Sequence, residues 1–167
     1  VRVPIWVPYW APIIVDIAHR FEEPPELVTA LVWKESDGRA HAYRYEDGFF
    51  DRYLAGKREW TRCLLPGALE TWKRRASASY GLAQIMFPTA VQHGLPIDAE
   101  PELLFQPSLS LEYGLRHLRW CRQRAGGDTL GALRGYNGGF PHGEYPARVI
   151  AYAEDVLARS ALINASF

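Results

Sequence analysis

The chain is poor in sulfur and carries no excess charge: its 167 residues include two cysteines and one methionine, and nineteen basic side chains balance nineteen acidic ones. A balanced chain lacks the broad electrostatic attraction that nonspecific nucleic-acid binding needs, so no nucleic-acid partner is expected. Cys63 and Cys121 allow at most one disulfide, and neither stands in a CxxC pair. Both read as buried thiols, with their bonding left open. There is no metal-ligand motif, no repeat, no low-complexity tract and no linker. No apolar run reaches the length of a membrane span. The first eighteen residues carry only Arg2 and Asp16 as charges. Pro4, Pro8 and Pro12 interrupt them and no small-residue cleavage site follows, which speaks against a signal peptide or a membrane anchor. Residues 1–12 therefore read as an N-terminal extension packed on a single domain, 13–167. Sustained period-two alternation is absent as well, so no extended sheet is expected.

What is abundant is apolar and aromatic: 48% of residues are hydrophobic, and six Trp, nine Tyr and seven Phe exclude disorder. The spacing is helical, as in Val28, Leu31, Val32 and Glu35; Leu111, Leu115 and Leu118; and Val149, Ala153, Val156 and Ser160. Pro24 and Pro25 before Glu26, with Gly38 beyond, predict a helix over 25–37. Asp128 predicts the cap of a helix through Leu130 and Leu133 that stops at Asn137-Gly138-Gly139. Residues 39–78 mix Gly48, Gly56, Pro66 and Gly67 with aromatics and read as short helices and loops. The expected fold is mostly α. Arg116, Arg119, Arg122 and Arg124 read as a solvated helix face.

Three segments carry chemistry. Glu35 falls one turn after Leu31 and Val32, so a carboxyl ends an otherwise apolar helix face. Burial there would raise its pKa towards that of a general acid working near neutral pH. Taken alone, a Glu at a helix end paired with Arg39 is the commoner arrangement, although Gly38 should end the helix first and turn Arg39 away. Gln84 lies among apolar neighbours in Gly81-Leu82-Ala83-Gln84-Ile85-Met86, and must bond backbone, water or ligand, because an unpaired buried amide costs about 1–3 kcal/mol. Gly81 permits close backbone approach there, and Met86 supplies a soft groove wall. Tyr136-Asn137-Gly138-Gly139 puts a phenol and an amide at a helix end, where the phenol could donate to Glu35.

Taken in order, Ala30-Leu31-Val32-Trp33-Lys34-Glu35-Ser36-Asp37-Gly38, Ser79-Tyr80-Gly81-Leu82-Ala83-Gln84-Ile85-Met86 and Leu133-Arg134-Gly135-Tyr136-Asn137-Gly138-Gly139 resemble the soluble lytic transglycosylase family, whose domain is similar to goose-type lysozyme. The resemblance spans about residues 13–160. It implies a single lysozyme-like helical domain, with Glu35 as catalytic acid and base and with Ser79, Gln84, Met86, Tyr136 and Asn137 binding substrate. The substrate it implies is the glycan strand of peptidoglycan, cut at the β-1,4 bond between N-acetylmuramic acid and N-acetylglucosamine. The product carries a 1,6-anhydromuramoyl end, and no cofactor or metal is involved. It also implies action as a monomer in the periplasm or cell wall.

The chain departs from the family pattern in two places. The stretch from Glu35 to Gly81 is longer than usual and contains Ala42-Tyr43-Arg44-Tyr45-Glu46, which resembles the phage and prophage lysin variant; Ser79 stands in for the family serine. The late groove acid that precedes a Tyr-x-x-x-Val segment is displaced, with Glu144 directly before Tyr145 and without an assigned role. Two other readings follow from the same residues. If Glu46 or Asp51 faces Glu35 across the cleft, a hydrolytic lysozyme results, with Glu46 the candidate second carboxylate. The other is a silent peptidoglycan-binding module of a virion or wall, which would have no need of the acid.

Overall fold

The computed structural model describes residues 2–61 and 68–165, so Cys63 lies outside the described residues. The helices are α1 (Val7–Arg20), α2 (Pro25–Glu35), α3 (Phe49–Tyr53), α4 (Arg58–Thr61), α5 (Leu69–Ala76), α6 (Phe87–Gln92), α7 (Pro107–Arg124), α8 (Thr129–Gly138) and α9 (Ala147–Asn164), with a short 3₁₀ turn at Pro101–Phe105. The mostly-α expectation holds. A small antiparallel sheet accompanies the helices: β1 (Tyr43–Tyr45) pairs with β2 (Ala78–Tyr80), and β2 with β3 (Ile85–Met86). Strands of three, three and two residues are too short to show alternation, which is why the sequence suggested only helices and loops around 39–78.

Two apolar clusters organise these elements. The larger gathers Ile14 and Ile17 of α1, Val28 and Leu31 of α2, Leu111, Leu115 and Leu118 of α7, Leu133 of α8, and Val156 of α9. In the smaller, Phe50, Trp60, Tyr80, Phe87 and Leu104 pack around the sheet. Helix α2 runs through the larger cluster, against α9 and α1. All six residues from Leu27 to Val32 are buried, so it is covered on every side, as only a central helix is.

The prolines of the N-terminal segment do not break a helix there. Pro8 occupies the first turn of α1, where its missing N–H has no intrahelical partner to lose. Pro12 lies inside α1 and forfeits one backbone bond, while buried Val7, Ile14, Ile17 and Ala18 hold the helix against the core. Residues 7–12 thus continue into 13–20 as one helix. Trp6 and Trp10 donate to the Asp37 carboxylate at 3.1 Å and the Gly38 carbonyl at 2.8 Å, fastening this segment over the end of α2. Helix α2 stops at Glu35, two residues short of the expected end, because Asp37 and Gly38 adopt left-handed backbone (φ 52° and 73°). Helix α8 starts at the expected cap, with the Asp128 carboxylate accepting from the Gly131 N–H at 2.6 Å. Arg122 is not solvated as expected but pairs with buried Glu23 at 2.6 Å.

Between β2 and β3 the chain turns through Gly81, whose φ is 72°. A Cβ there would collide with the Leu104 carbonyl and the Ser110 side chain. Gly81→Ala combines a left-handed alanine with overpacking, and should cost about 2–4 kcal/mol. Urea unfolding should show the midpoint falling by about 1 M or more; an unchanged midpoint would mean that this turn is not built as described.

Candidate active site

Glu35 is the last residue of α2 and is half-buried. The Tyr152 hydroxyl, from α9, donates to its Oε1. The carboxyl pKa rises from 4.5 to about 7: burial pushes it up, and the Tyr152 hydrogen bond and the charges of Arg44 and Lys34 only partly oppose that. The unpaired carbonyls at a helix C-terminus disfavour a carboxylate further. Arg39 does not pair with Glu35; its Nε donates to the Ser36 carbonyl at 3.0 Å. The donor to Glu35 is not Tyr136 as expected, because the Tyr136 hydroxyl is spent on the Ala83 carbonyl at 2.7 Å.

The three sequence segments meet at the turn 81–84. Gly81, Leu82 and Ala83 are buried, so their backbone polar groups need partners inside the protein. Each carbonyl receives one side chain: Gly81 takes Gln84 Nε2 at 3.0 Å, Leu82 takes the Ser36 hydroxyl at 2.8 Å, and Ala83 takes Tyr136. The Gly81 N–H donates to the Ala42 carbonyl at 2.9 Å, and the Ala83 N–H to Ser110 Oγ at 3.0 Å. Gln84 itself sits at φ 47°, and its Nε2 also donates to the Ala42 carbonyl at 3.0 Å. Both amide protons are therefore used, and Oε1 is the group left to accept from a ligand.

Glu35, Glu46, Ser79, Gln84, Met86, Tyr136 and Asn137 all line one open groove of about 940 Å³. A second recess of about 700 Å³, lined by Arg39, His41 and Tyr43, meets it at Glu35, Arg44 and Gln84. Within the groove Ser79 is buried on β2, paired in register with Arg44 and Met86, and offers little surface. Asn137 is exposed at the end of α8. Glu46 is bound by Arg44 at 2.7 Å. Asp51 and Glu144 do not line the groove; Asp51 pairs with Lys73 at 3.0 Å, and Glu144 is exposed.

Sequence reasoning missed several groove residues, among them Tyr152, Asp155, Arg148 and His117. Tyr152 begins a Tyr-x-x-x-Val pattern of its own, ending at Val156, and falls on the apolar stripe of α9 beside Val149 and Ala153. Its hydroxyl on that stripe was the available signal. Asp155 joins Lys34 at 2.7 Å and Arg159 at 3.1 Å, partners that hold its carboxyl below the usual range against the opposing effect of burial. Arg148 lines the groove from the first turn of α9. His117 faces His93 at 3.0 Å and stacks on Trp120; burial, helped by the neighbouring His93, pushes its pKa down to about 4. Cys121 lies four residues on, 3.7 Å from His117 Nε2, and burial pushes its thiol up to about 12. Among the described residues no group of three or more His, Cys, Asp or Glu side chains is placed to hold a metal ion.

The sequence model of the transglycosylase SLT domain matches residues 13–149. No curated protein sequence is significantly similar. Among solved structures the chain is similar to the lytic transglycosylase Slt of Pseudomonas aeruginosa, determined as an inactive mutant, with a TM-score of 0.63 at 14% identity over 93% of this chain and 24% of that one. It is also similar to the 70 kDa soluble lytic transglycosylase of Escherichia coli, with a TM-score of 0.62 at 16% identity over 92% and 24%. At these identities the likeness is one of fold, and the chain spans about a quarter of the length of either protein.

The Glu35 shift has a consequence for stability. With a native pKa of about 7 above a reference of 4.5, the native state binds more protons than the unfolded state between those values, so stability falls as pH rises through that window. Glu35→Gln removes the penalty while keeping an acceptor for Tyr152. Above pH 7 the variant should be more stable than wild type by about 1–3 kcal/mol, and the gap should close towards pH 4.5. Chemical denaturation at several pH values reads this; a variant destabilised equally at every pH would contradict it.

Proposed function

The chain belongs to the transglycosylase SLT family, and from that premise we propose that it is a peptidoglycan lytic transglycosylase that cuts the β-1,4 bond between N-acetylmuramic acid and N-acetylglucosamine. The observation that carries this reading is Glu35, a carboxyl with a pKa of about 7 where two recesses meet. A polymer needs room on both sides of the bond it loses, and the acid stands between them. A carboxyl protonated near neutral pH can give its proton to a leaving oxygen and take one back.

Glu35 donates its proton to the glycosidic oxygen that leaves with N-acetylglucosamine, and the bond from that oxygen to muramoyl C1 breaks. The muramoyl N-acetyl oxygen shields the positive charge developing at C1. The Glu35 carboxylate then takes the proton of the C6 hydroxyl, whose oxygen closes on C1 to form the 1,6-anhydro ring. No water is consumed, and Glu35 ends protonated as it began. Tyr152 holds the carboxyl directly by its hydroxyl, and Gln84 Oε1 is free to accept from an acetamido N–H. The strand binds along Tyr136, Asn137 and Met86, with Ser79 of the central strand β2 at the groove floor. Action as a monomer, in the periplasm or cell wall where the substrate lies, belongs to the same proposal.

A second reading rests on Glu46, which lines the same groove. If it directed a water at C1, the enzyme would be a hydrolytic lysozyme of the phage type. Its engagement by Arg44 favours the single-acid route. A silent binding module is disfavoured because it would carry a desolvated carboxyl at a cost in stability with nothing gained.

Digested peptidoglycan analysed by mass spectrometry should contain anhydromuropeptides that borohydride does not reduce. Reducing muramic ends would select the hydrolytic reading and make Glu46→Gln the next variant. Folded Glu35→Gln should lose at least about 10²- to 10⁴-fold in cleavage, the usual worth of acid–base catalysis. Retained cleavage would remove Glu35 from the reaction.

A further inference from the structure

Resting on that reading of the groove, we propose that Arg148 binds a carboxylate carried on the lactyl arm of a muramoyl residue, and so makes carboxylate-bearing strands the preferred substrate. Among the described residues the groove holds three cationic side chains besides the uncharged His117. Lys34 is engaged by Asp155 at 2.7 Å and Arg44 by Glu46 at 2.7 Å. Arg148 makes no hydrogen bond or ion pair to any described residue, and it is exposed.

Its position is unfavourable for structure alone. Arg148 lies in the first turn of α9, where no acidic residue is present. The start of a helix carries partial positive charge, which disfavours a cation there. Among the described residues neither packing nor pairing offsets that cost. The same residue stands one turn before Tyr152, the partner of Glu35, so the two positions share a face of α9 and lie about 6 Å apart along its axis. A free guanidinium is thus held within reach of a sugar bound next to Glu35.

The sugars of an N-acetylated strand are neutral. Its anionic groups hang from the lactyl ether of the muramoyl residue, as the free lactyl carboxylate on a stripped strand or as carboxylates of the stem peptide. A guanidinium pairs with either through two parallel N–H···O bonds.

The test uses strands from one peptidoglycan preparation: peptide-bearing, stripped of peptide by an amidase, and each of these with its carboxylates converted to methylamides. On carboxylate-bearing strands Arg148→Ala should raise KM about three- to tenfold, with kcat little changed, as expected for an exposed charge-assisted contact. Wild type should lose the same factor when the strands are amidated, the variant should not respond to amidation, and Arg148→Lys should fall between them. The wild-type preference should shrink as salt is added. An effect confined to peptide-bearing strands assigns the contact to the stem peptide, and one that persists on stripped strands assigns it to the lactyl carboxylate. A variant that loses equally on amidated and carboxylate strands, or loses on neither, overturns the proposal. Sedimentation of strands with Glu35→Gln and with Glu35→Gln/Arg148→Ala reads the same dependence without turnover, so a wild type that cuts nothing would refute the cleavage reading alone.

Discussion

Buried backbone that is neither helix nor long strand has to find many of its hydrogen bonds from side chains, and at Gly81–Gln84 that requirement arranges the site. Three successive carbonyls are satisfied by Gln84, Ser36 and Tyr136, and the Ala83 N–H by Ser110. Ser36 ties the end of α2 to the turn, and Tyr136 ties the end of α8 to it. The same bonds that satisfy the turn therefore bring Glu35, Gln84 and Asn137 to one groove, although more than forty residues separate each from the next. Gly81 is the residue that lets the chain pass close enough to Leu104 and Ser110 for this to happen.

Against that frame Glu35 is placed where its charged form is disfavoured. The helix that carries it is buried on all sides, its C-terminal dipole repels negative charge, and the two cations that act on it are also engaged elsewhere: Lys34 with Asp155 and Arg44 with Glu46. The protein supplies one neutral donor, Tyr152, which orients the carboxyl without bringing a full charge to it. The outcome is an acid that costs stability when ionised and serves proton transfer because of that cost. Such local inconsistency between fold and residue is what a functional position is expected to show.

How far the sequence could be read follows from the kind of signal each feature leaves. Helical spacing and caps were legible at α2 and α8 because Pro25, Asp128 and the glycines act locally. Glu35 stood out because it broke an apolar face, and Gln84 because its amide lay among apolar neighbours. Tyr152 did the reverse: its ring continues the α9 stripe, and only its hydroxyl, aimed at a group 117 residues away, gives it a role. The donor was consequently expected at Tyr136, which sits in a recognisable segment but is consumed by Ala83. The short strands left no periodicity, since their register is set by pairing with distant partners such as Arg44 with Ser79. Arg148 was silent for a different reason, because an exposed arginine becomes informative only when the surrounding ion pairs are known.

The central claim is that Glu35 holds its proton near neutral pH, and direct titration of that carboxyl tests it. Glu35 can be assigned by comparing carboxyl-carbon NMR spectra of the wild type with those of Glu35→Gln across the pH range. A midpoint near 7 is the value that burial opposed by Tyr152, Arg44 and Lys34 produces. A midpoint at or below 4.5, the ordinary value for a glutamate, would show a solvated or ion-paired carboxylate and would contradict the account.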